Sequence, residues 1–212
     1  DKKQYTLSAS QAQRAANAAA YAQQIVDANA GKTDLEKLEA YKDAICDLVS
    51  YDQETANIIS QNPNSPLYGD PFQIIYVFDG IETTNVVEEG YAKAFQYLCE
   101  KAEIECIYVT GDARDTVEGH AWNIVNLDGD YYYVDATYGV MPEFSSSLQE
   151  DQMLYDYFCP FPEEYEQLVT PDAGLVLPAC TATANNYYVR NASCFDTFDR
   201  QELYNYFVMQ ID

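Results

Sequence analysis

Two residues fifteen positions apart could form the centre of a catalytic or binding site. His120, the only histidine of the chain, opens a predicted strand, and Asp135 lies near the end of the next one. Asp128 and Gly129 are typical of a two-residue hairpin turn, which would place Asp135 opposite Trp122. His120 would then be a diagonal neighbour of Asp135 on the same face of the sheet. An aspartate there fixes the imidazole tautomer and stabilises its protonated form, although a lone histidine is more often structural.

A histidine–aspartate pair that supports nucleophilic chemistry also needs a nucleophile. The expected place is the N-terminus of a helix packed on the sheet, where the helix dipole lowers the pKa of a thiol. The helix before this sheet is predicted over about residues 87–102, with its start near Asn85. The sequence therefore predicts that a nucleophile, if there is one, lies in the first turn of this helix.

Four ordered motifs resemble the transglutaminase-like superfamily of papain-like thiol enzymes, in its small bacterial type. They are residues 89–99 (EGYAKAFQYLC), 104–111 (IECIYVTG), 120–123 (HAWN) and 135–138 (DATY). The resemblance covers about residues 40–140 and implies an α+β fold, in which a helix packs on an antiparallel sheet. It also implies protease, amidase or transamidase chemistry by a Cys–His–Asp triad. His120 would be the general acid and base, and Asp135 would orient it.

The position of the family's nucleophilic cysteine is occupied by Glu88 in this chain, two residues before the Gly-Tyr-Ala of the first motif. A carboxylate is far less nucleophilic than a thiolate in acyl transfer, so the resemblance implies a chain that is inactive as it stands. Cys99 is no obvious replacement, because it would lie about 16 Å farther along the helix. Cys106 belongs to the following strand.

Four roles are open to Glu88. It could cap the helix, because Asn85 and Glu88 have capping-box spacing. It could pair with His120 in place of a thiolate and raise the pKa of that histidine. It could act as a base on water with help from His120, or hold a metal ion together with His120 and Asp135. Helix electrostatics alone favour the first two roles, so we predict no metal and no cofactor.

The candidate substrate-binding residues are Trp122, Tyr91 and Tyr138. The expected partner is a peptide, a protein or a cell-wall amide. A second hypothesis is a non-catalytic module of the cell envelope that binds a peptide or cell-wall ligand. The 20 tyrosines of the chain are compatible with such a surface, although tyrosines on strands mostly pack a half-buried sheet.

The composition excludes several classes of protein. The chain has 35 acidic and 11 basic side chains, and its formal net charge of −24 repels the phosphates of nucleic acids. No apolar run approaches the roughly 18 residues that a membrane span needs. The six cysteines form no CxxC pair, which leaves free thiols and one or two disulfides about equally open. We expect a secreted or cell-envelope location, which the lack of a visible signal peptide does not exclude.

The predicted elements divide the chain at residue 50. Residues 1–50 form two antiparallel helices, over 8–29 and from Thr33, where Thr33 and Glu36 make a capping box. Residues 51–212 form the transglutaminase-like domain, with a loop at 51–71 and a short apolar run at 72–78. The helix at 87–102 and strands at 104–110, 121–127 and 131–136 follow. We predict irregular structure at 140–186, short strands at 187–189 and 194–198, and a helix from Asp199.

Overall fold

The computed structural model describes residues 8–62, 65, 67, 69–81, 83–114, 119–139, 153–194, 200, 201 and 205. These residues form the predicted α+β fold, in which helices pack on an antiparallel sheet. The helices are α1 (Ala9–Ala28), α2 (Asp34–Leu48), α3 (Gln53–Gln61), α4 (Gln73–Val77), α5 (Glu88–Lys101), α6 (Pro162–Tyr165) and α7 (Tyr187–Arg190). The strands are β1 (Cys106–Ala113), β2 (Gly119–Leu127), β3 (Asp130–Val134) and β4 (Val169–Pro171).

Capping boxes start both N-terminal helices. Thr33 and Glu36 form the predicted box at α2, and Ser8 and Gln11 form another at α1. Both helices pack on α5 and contribute to the same hydrophobic core as that helix. The division of the chain into two domains at residue 50 stays a prediction.

Two local predictions are wrong because side-chain caps start short helices there. Asp52 accepts a hydrogen bond from the backbone N–H of Thr55, so α3 occupies much of the predicted loop at 51–71. Asn186 accepts from the N–H groups of the two residues that follow Tyr187, so α7 replaces the strand predicted at 187–189. The strand predicted at 194–198 and the helix predicted from Asp199 fall largely outside the described residues.

The sheet has the strand order β3-β2-β1-β4, with antiparallel neighbours throughout. Leu127 pairs with Asp130, so the β2–β3 connection is the predicted two-residue turn. Asp128 and Gly129 both have positive φ, which the tight hairpin turn requires. This turn fixes which side chains of β2 and β3 face each other.

The chain returns to the sheet after residue 153 in a segment predicted to be irregular. The backbone N–H of Asp135 donates to the carbonyl of Tyr157, and the N–H of Cys159 donates to the carbonyl of Tyr133. α6 and β4 follow, and β4 pairs with the end of β1. Neither element was predicted.

A buried lysine attaches this returning segment to α2. Lys42 is almost fully buried, and its Nζ atom donates to the carbonyl of Leu154 at 2.9 Å. Nζ also pairs with Asp43 at 2.7 Å and lies 4.0 Å from the ring centroid of Tyr155. Since a buried ammonium needs such partners, these contacts hold residues 154–155 against the helix.

All six cysteines lie within the described residues, and each is a free thiol. Four are buried, Cys106 is partly buried and Cys194 is exposed. The structure therefore fits the free-thiol alternative. Within the described residues, none of the helices combines the length and the apolar character needed to cross a membrane.

β1 and β4 approach each other most closely at Gly111. A Cβ atom at this position would collide with the backbone carbonyl oxygen of Thr170. Because backbone atoms cannot rotate away, we expect Gly111→Ala to lower the free energy of unfolding by about 1–3 kcal/mol. Gly31→Ala is the control, since a Cβ there meets nothing within 4 Å, and it should change stability by less than about 0.5 kcal/mol. Urea unfolding measures both, and equal stabilities would contradict the close approach.

Candidate active site

His120 and Asp135 form a buried hydrogen bond. The His120 Nε2 and Asp135 Oδ2 atoms are 2.6 Å apart, and only 7% and 1% of the two residues are exposed. Asn123 pairs with Val134, so continuing the ladder puts Asp135 across from Trp122, with His120 diagonal to it. The predicted proximity of the two side chains is confirmed, whereas their catalytic roles stay a prediction.

The carboxylate of Asp135 accepts two further hydrogen bonds. The backbone N–H of Thr137 donates to Oδ1 at 3.1 Å, which caps a short 3₁₀ turn, Ala136–Tyr138. The hydroxyl of Tyr165 donates to Oδ2 at 2.9 Å. Tyr165 is not among the predicted site residues, because no spacing rule connects a residue of a proline-rich segment to a strand end thirty positions earlier.

Aromatic rings flank the imidazole of His120. Its ring centroid lies 6.0 Å from Trp122, in a stacked arrangement, and 5.3 Å from Tyr138. The ring of Tyr157 follows at 4.8 Å from Tyr138. Tyr138 and Tyr157 are partly exposed. The faces of these rings favour a cationic imidazole beside them.

The three predicted substrate-binding residues occupy different environments. Tyr138 and Trp122 both contact His120, but Trp122 is fully buried. Tyr91 also lies in the core, where its hydroxyl donates to the carbonyl of Val49 at 3.2 Å. Of the three, Tyr138 alone keeps a partly exposed ring beside the imidazole.

Glu88 is the first residue of α5, and its Oε2 atom accepts a hydrogen bond from the Tyr51 hydroxyl at 2.9 Å. A parallel bridge between Tyr51 and Val86 brings these two segments side by side. Burial raises the pKa of Glu88, although hydrogen bonds from its own backbone and from Tyr51 oppose this. The carboxyl group thus stands at the positive end of the helix in a partly desolvated position.

The capping box predicted between Asn85 and Glu88 is wrong. The helix begins one residue after Val87, which provides no side-chain cap, and Asn85 instead accepts from the backbone N–H of Ser50. The buried side chain of Gln73 accepts the N–H of Val87 at 3.1 Å. This contact fixes where the chain enters α5, and so where Glu88 lies.

Two carboxylates raise the pKa of His120. Burial alone would lower the pKa of His120, but Asp135 and, after it, Glu88 raise it above the ordinary value of 6.5. This agrees with the second role predicted for Glu88, in which it takes the electrostatic place of a thiolate. Among the described residues, no group of three or more His, Cys, Asp or Glu side chains is arranged to hold a metal ion.

Cys99 is no replacement for a nucleophile at residue 88. It is fully buried near the end of α5, and its thiol hydrogen-bonds to Cys106. Burial raises the pKa of the Cys99 thiol well above its ordinary value. A thiol in this environment stays protonated and unreactive.

A family model described as the transglutaminase-like superfamily matches residues 19–136, more than half of the chain. The chain belongs to the transglutaminase-like superfamily. The matched range contains Glu88, His120 and Asp135 but ends before Tyr165. This transglutaminase-like chain therefore draws one partner of its buried carboxylate from outside the part that the family model describes.

The chain is also similar to known proteins and to a solved structure. The kyphoscoliosis peptidases of Mus musculus and Homo sapiens are each 29% identical over 117 residues, which cover 50% of this chain. The chain spans only 16% of the length of these curated relatives. A TGase of known crystal structure matches with a TM-score of 0.50 and 17% identity, over 85% of this chain and 45% of that one. At this identity the likeness concerns the fold alone.

The influence of Glu88 on His120 can be measured directly, because the chain has a single histidine. We expect Glu88→Gln to lower the pKa of His120, since it removes a negative charge that favours the imidazolium. Because the folded-state pKa is raised, protonation of His120 stabilises the fold below about pH 6.5, and this contribution is lost as the pH rises through the raised pKa. Glu88→Gln should reduce this pH dependence. NMR titration of His120 and unfolding at two pH values measure the effects.

Glu89→Gln is the matched control, because Glu89 lies in the same first turn but contacts Lys93 and Tyr108. It should leave the titration of His120 unchanged. If His120 titrates in the Glu88→Gln variant as it does in the unmodified chain, residue 88 does not act on the imidazole.

Proposed function

We propose that this chain descends from transglutaminase-like proteases, amidases or transamidases and lacks their acyl-transfer activity because Glu88 stands at the nucleophile position. The observation that carries the proposal is the intact His120–Asp135 pair beside a helix that opens with a carboxylate. A structural histidine has no need of this second carboxylate at a helix N-terminus. The arrangement is the one that a thiolate, an imidazole and an aspartate would use, with one member exchanged.

A carboxylate at residue 88 does not replace the missing chemistry. It is a much weaker nucleophile than a thiolate, and the acyl anhydride it would form is short-lived. Oε2 is moreover occupied by the Tyr51 hydroxyl. We therefore assign Glu88 an electrostatic role towards His120.

The proposal predicts that a thiol at residue 88 restores reactivity. Glu88→Cys should have a low thiol pKa, because the start of α5 and the neighbouring imidazolium both favour the thiolate. We expect it to react with iodoacetamide at about pH 6, and to cleave or transfer small amide and ester substrates. Adding His120→Ala to Glu88→Cys should lower this activity by about 10²- to 10⁴-fold, the usual contribution of a general acid–base group.

Glu89→Cys is the matched control, because it places a thiol one residue along the same helix. It should label slowly at about pH 6 and show no amide chemistry. If Glu88→Cys labels as slowly as Glu89→Cys and turns over no substrate, residue 88 is not the nucleophile position.

A second function, binding without catalysis, is favoured by the aromatic surface beside His120. Tyr138 and Tyr157 present partly exposed rings 4.8 Å apart next to the imidazole, where they could stack on a ligand. Other tyrosines are less available, since Tyr155 and Tyr187 stack on each other at 4.2 Å. We propose a peptide or cell-wall fragment as the ligand, and with it a secreted or cell-envelope location.

This second function predicts a stabilising ligand. Short peptides or peptidoglycan fragments should raise the melting temperature of the unmodified chain, by an amount that grows with ligand concentration. Tyr138→Ala should remove most of this shift. Tyr131→Ala is the control, because Tyr131 lies at the turn end of β3 and contacts Glu105 instead. The absence of any shift across the panel, or equal shifts for both variants, would contradict binding at this surface.

A further inference from the structure

One oxygen of the buried Asp135 carboxylate accepts hydrogen bonds from two side chains. Oδ2 of Asp135 receives His120 Nε2 at 2.6 Å and the Tyr165 hydroxyl at 2.9 Å, while Oδ1 receives the N–H of Thr137. Asp135 and Tyr165 are each only 1% exposed. Two donors that share one acceptor oxygen compete for its charge, so neither hydrogen bond is independent of the other.

The Tyr165 hydroxyl is a permanent donor. Burial and the charge of Asp135 raise the pKa of Tyr165 well above its ordinary value, so it stays protonated throughout the working range of the protein. The imidazole of His120, by contrast, can change its charge, and its pKa is raised above the ordinary value because Asp135 and Glu88 outweigh the effect of burial. Tyr165 therefore keeps a hydrogen bond on the buried carboxylate in both charge states of the imidazole, which limits the cost of leaving that charge desolvated.

The ring of Tyr165 has little freedom to turn its hydroxyl away. It contacts Tyr133 at 5.0 Å between ring centroids, and Trp122 and Tyr157 at 6.3 Å each in edge-to-face geometry. Trp122 also stacks on His120. The same aromatic packing thus orients both donors of the shared oxygen.

We propose that Tyr165 is a positioning residue of this site: it shares Oδ2 of Asp135 with His120, fixes the carboxylate and limits how strongly it holds the imidazolium. The inference deepens the proposed function and rests on it only where His120 is given an acid–base role. It also extends the site into the segment after residue 153, beyond the range that the family model matches.

The other titratable groups near His120 and Asp135 decide whether a titration of His120 can test the proposal. Glu88 at the start of α5 acts on His120 through its charge, and the ring of Tyr138 packs against the imidazole. Tyr157 and Cys46 lie near Asp135, and burial raises the pKa of both, in Cys46 to about 12. Neither therefore changes charge near neutral pH. A shift in the titration of His120 then reports on its carboxylate partners and their donors.

The experiment is an NMR titration of the full chain carrying Tyr165→Phe, observed through the imidazole nitrogens of its single histidine. Without the hydroxyl, more of the Asp135 charge is available to His120. Proton affinity should therefore rise by about threefold or more, and the Nε2 proton should move downfield. Tyr133→Phe is the matched control, because its ring contacts Tyr165 but its hydroxyl donates to the exposed Glu166. It should leave both signals unchanged.

A purely structural Tyr165 would give a different result. A folded Tyr165→Phe variant with the unmodified titration of His120 would overturn the proposal, even if its stability fell. A second measurement needs no variant: the Tyr165 hydroxyl proton of the unmodified chain should exchange slowly and shift as His120 titrates. Exchange at the rate of a free hydroxyl would overturn the proposal even if Tyr165→Phe failed to fold. An inactive Glu88→Cys would contradict the proposed function but would not alter either measurement.

Discussion

The buried carboxylate of Asp135 is the constraint on which the rest of the site depends. A charge with 1% of its residue exposed needs hydrogen-bond donors within the protein, because water cannot supply them. Its donors come from three different parts of the chain: His120 on β2, Thr137 in the following turn, and Tyr165 at the end of α6. The hairpin register, the 3₁₀ turn and the return of the chain after residue 153 must all be correct for this charge to be satisfied.

A second carboxylate makes the electrostatics of the site unusual. Burial lowers the pKa of the imidazole, but Asp135 and, after it, Glu88 raise it above the ordinary value. A protonated His120 compensates part of this negative charge, while burial raises the pKa of Glu88. With Cys in place of Glu88, the same balance would produce a thiolate–imidazolium pair.

The parts of this fold that sequence analysis predicted are those fixed by local rules. The Asp128-Gly129 turn determines the hairpin register and hence the contact between His120 and Asp135, and the Thr33 capping box determines the start of α2. The contacts of Tyr165 and Tyr51 join segments distant in sequence, without a periodic pattern, so no local rule predicts them. The side chain of Asp52 caps α3, which therefore forms within a segment whose composition predicts a loop.

The hydrogen-bonded group of His120, Asp135 and Tyr165 is costly to bury, which favours a role in the site over a role in stabilising the fold. Burying an ion pair costs desolvation energy that its mutual attraction often only offsets, and apolar residues of similar volume frequently stabilise a core as well or better. Apolar side chains form the core around α5 and the sheet, and the carboxylate of Asp135 adds no apolar area to it. A buried imidazole that is hydrogen-bonded to Asp135 and packed against the partly exposed ring of Tyr138 is a candidate for chemistry or binding at its surface. The same reasoning holds whether residue 88 carries a thiol or a carboxylate, because the desolvation energy is spent on burying His120 and Asp135.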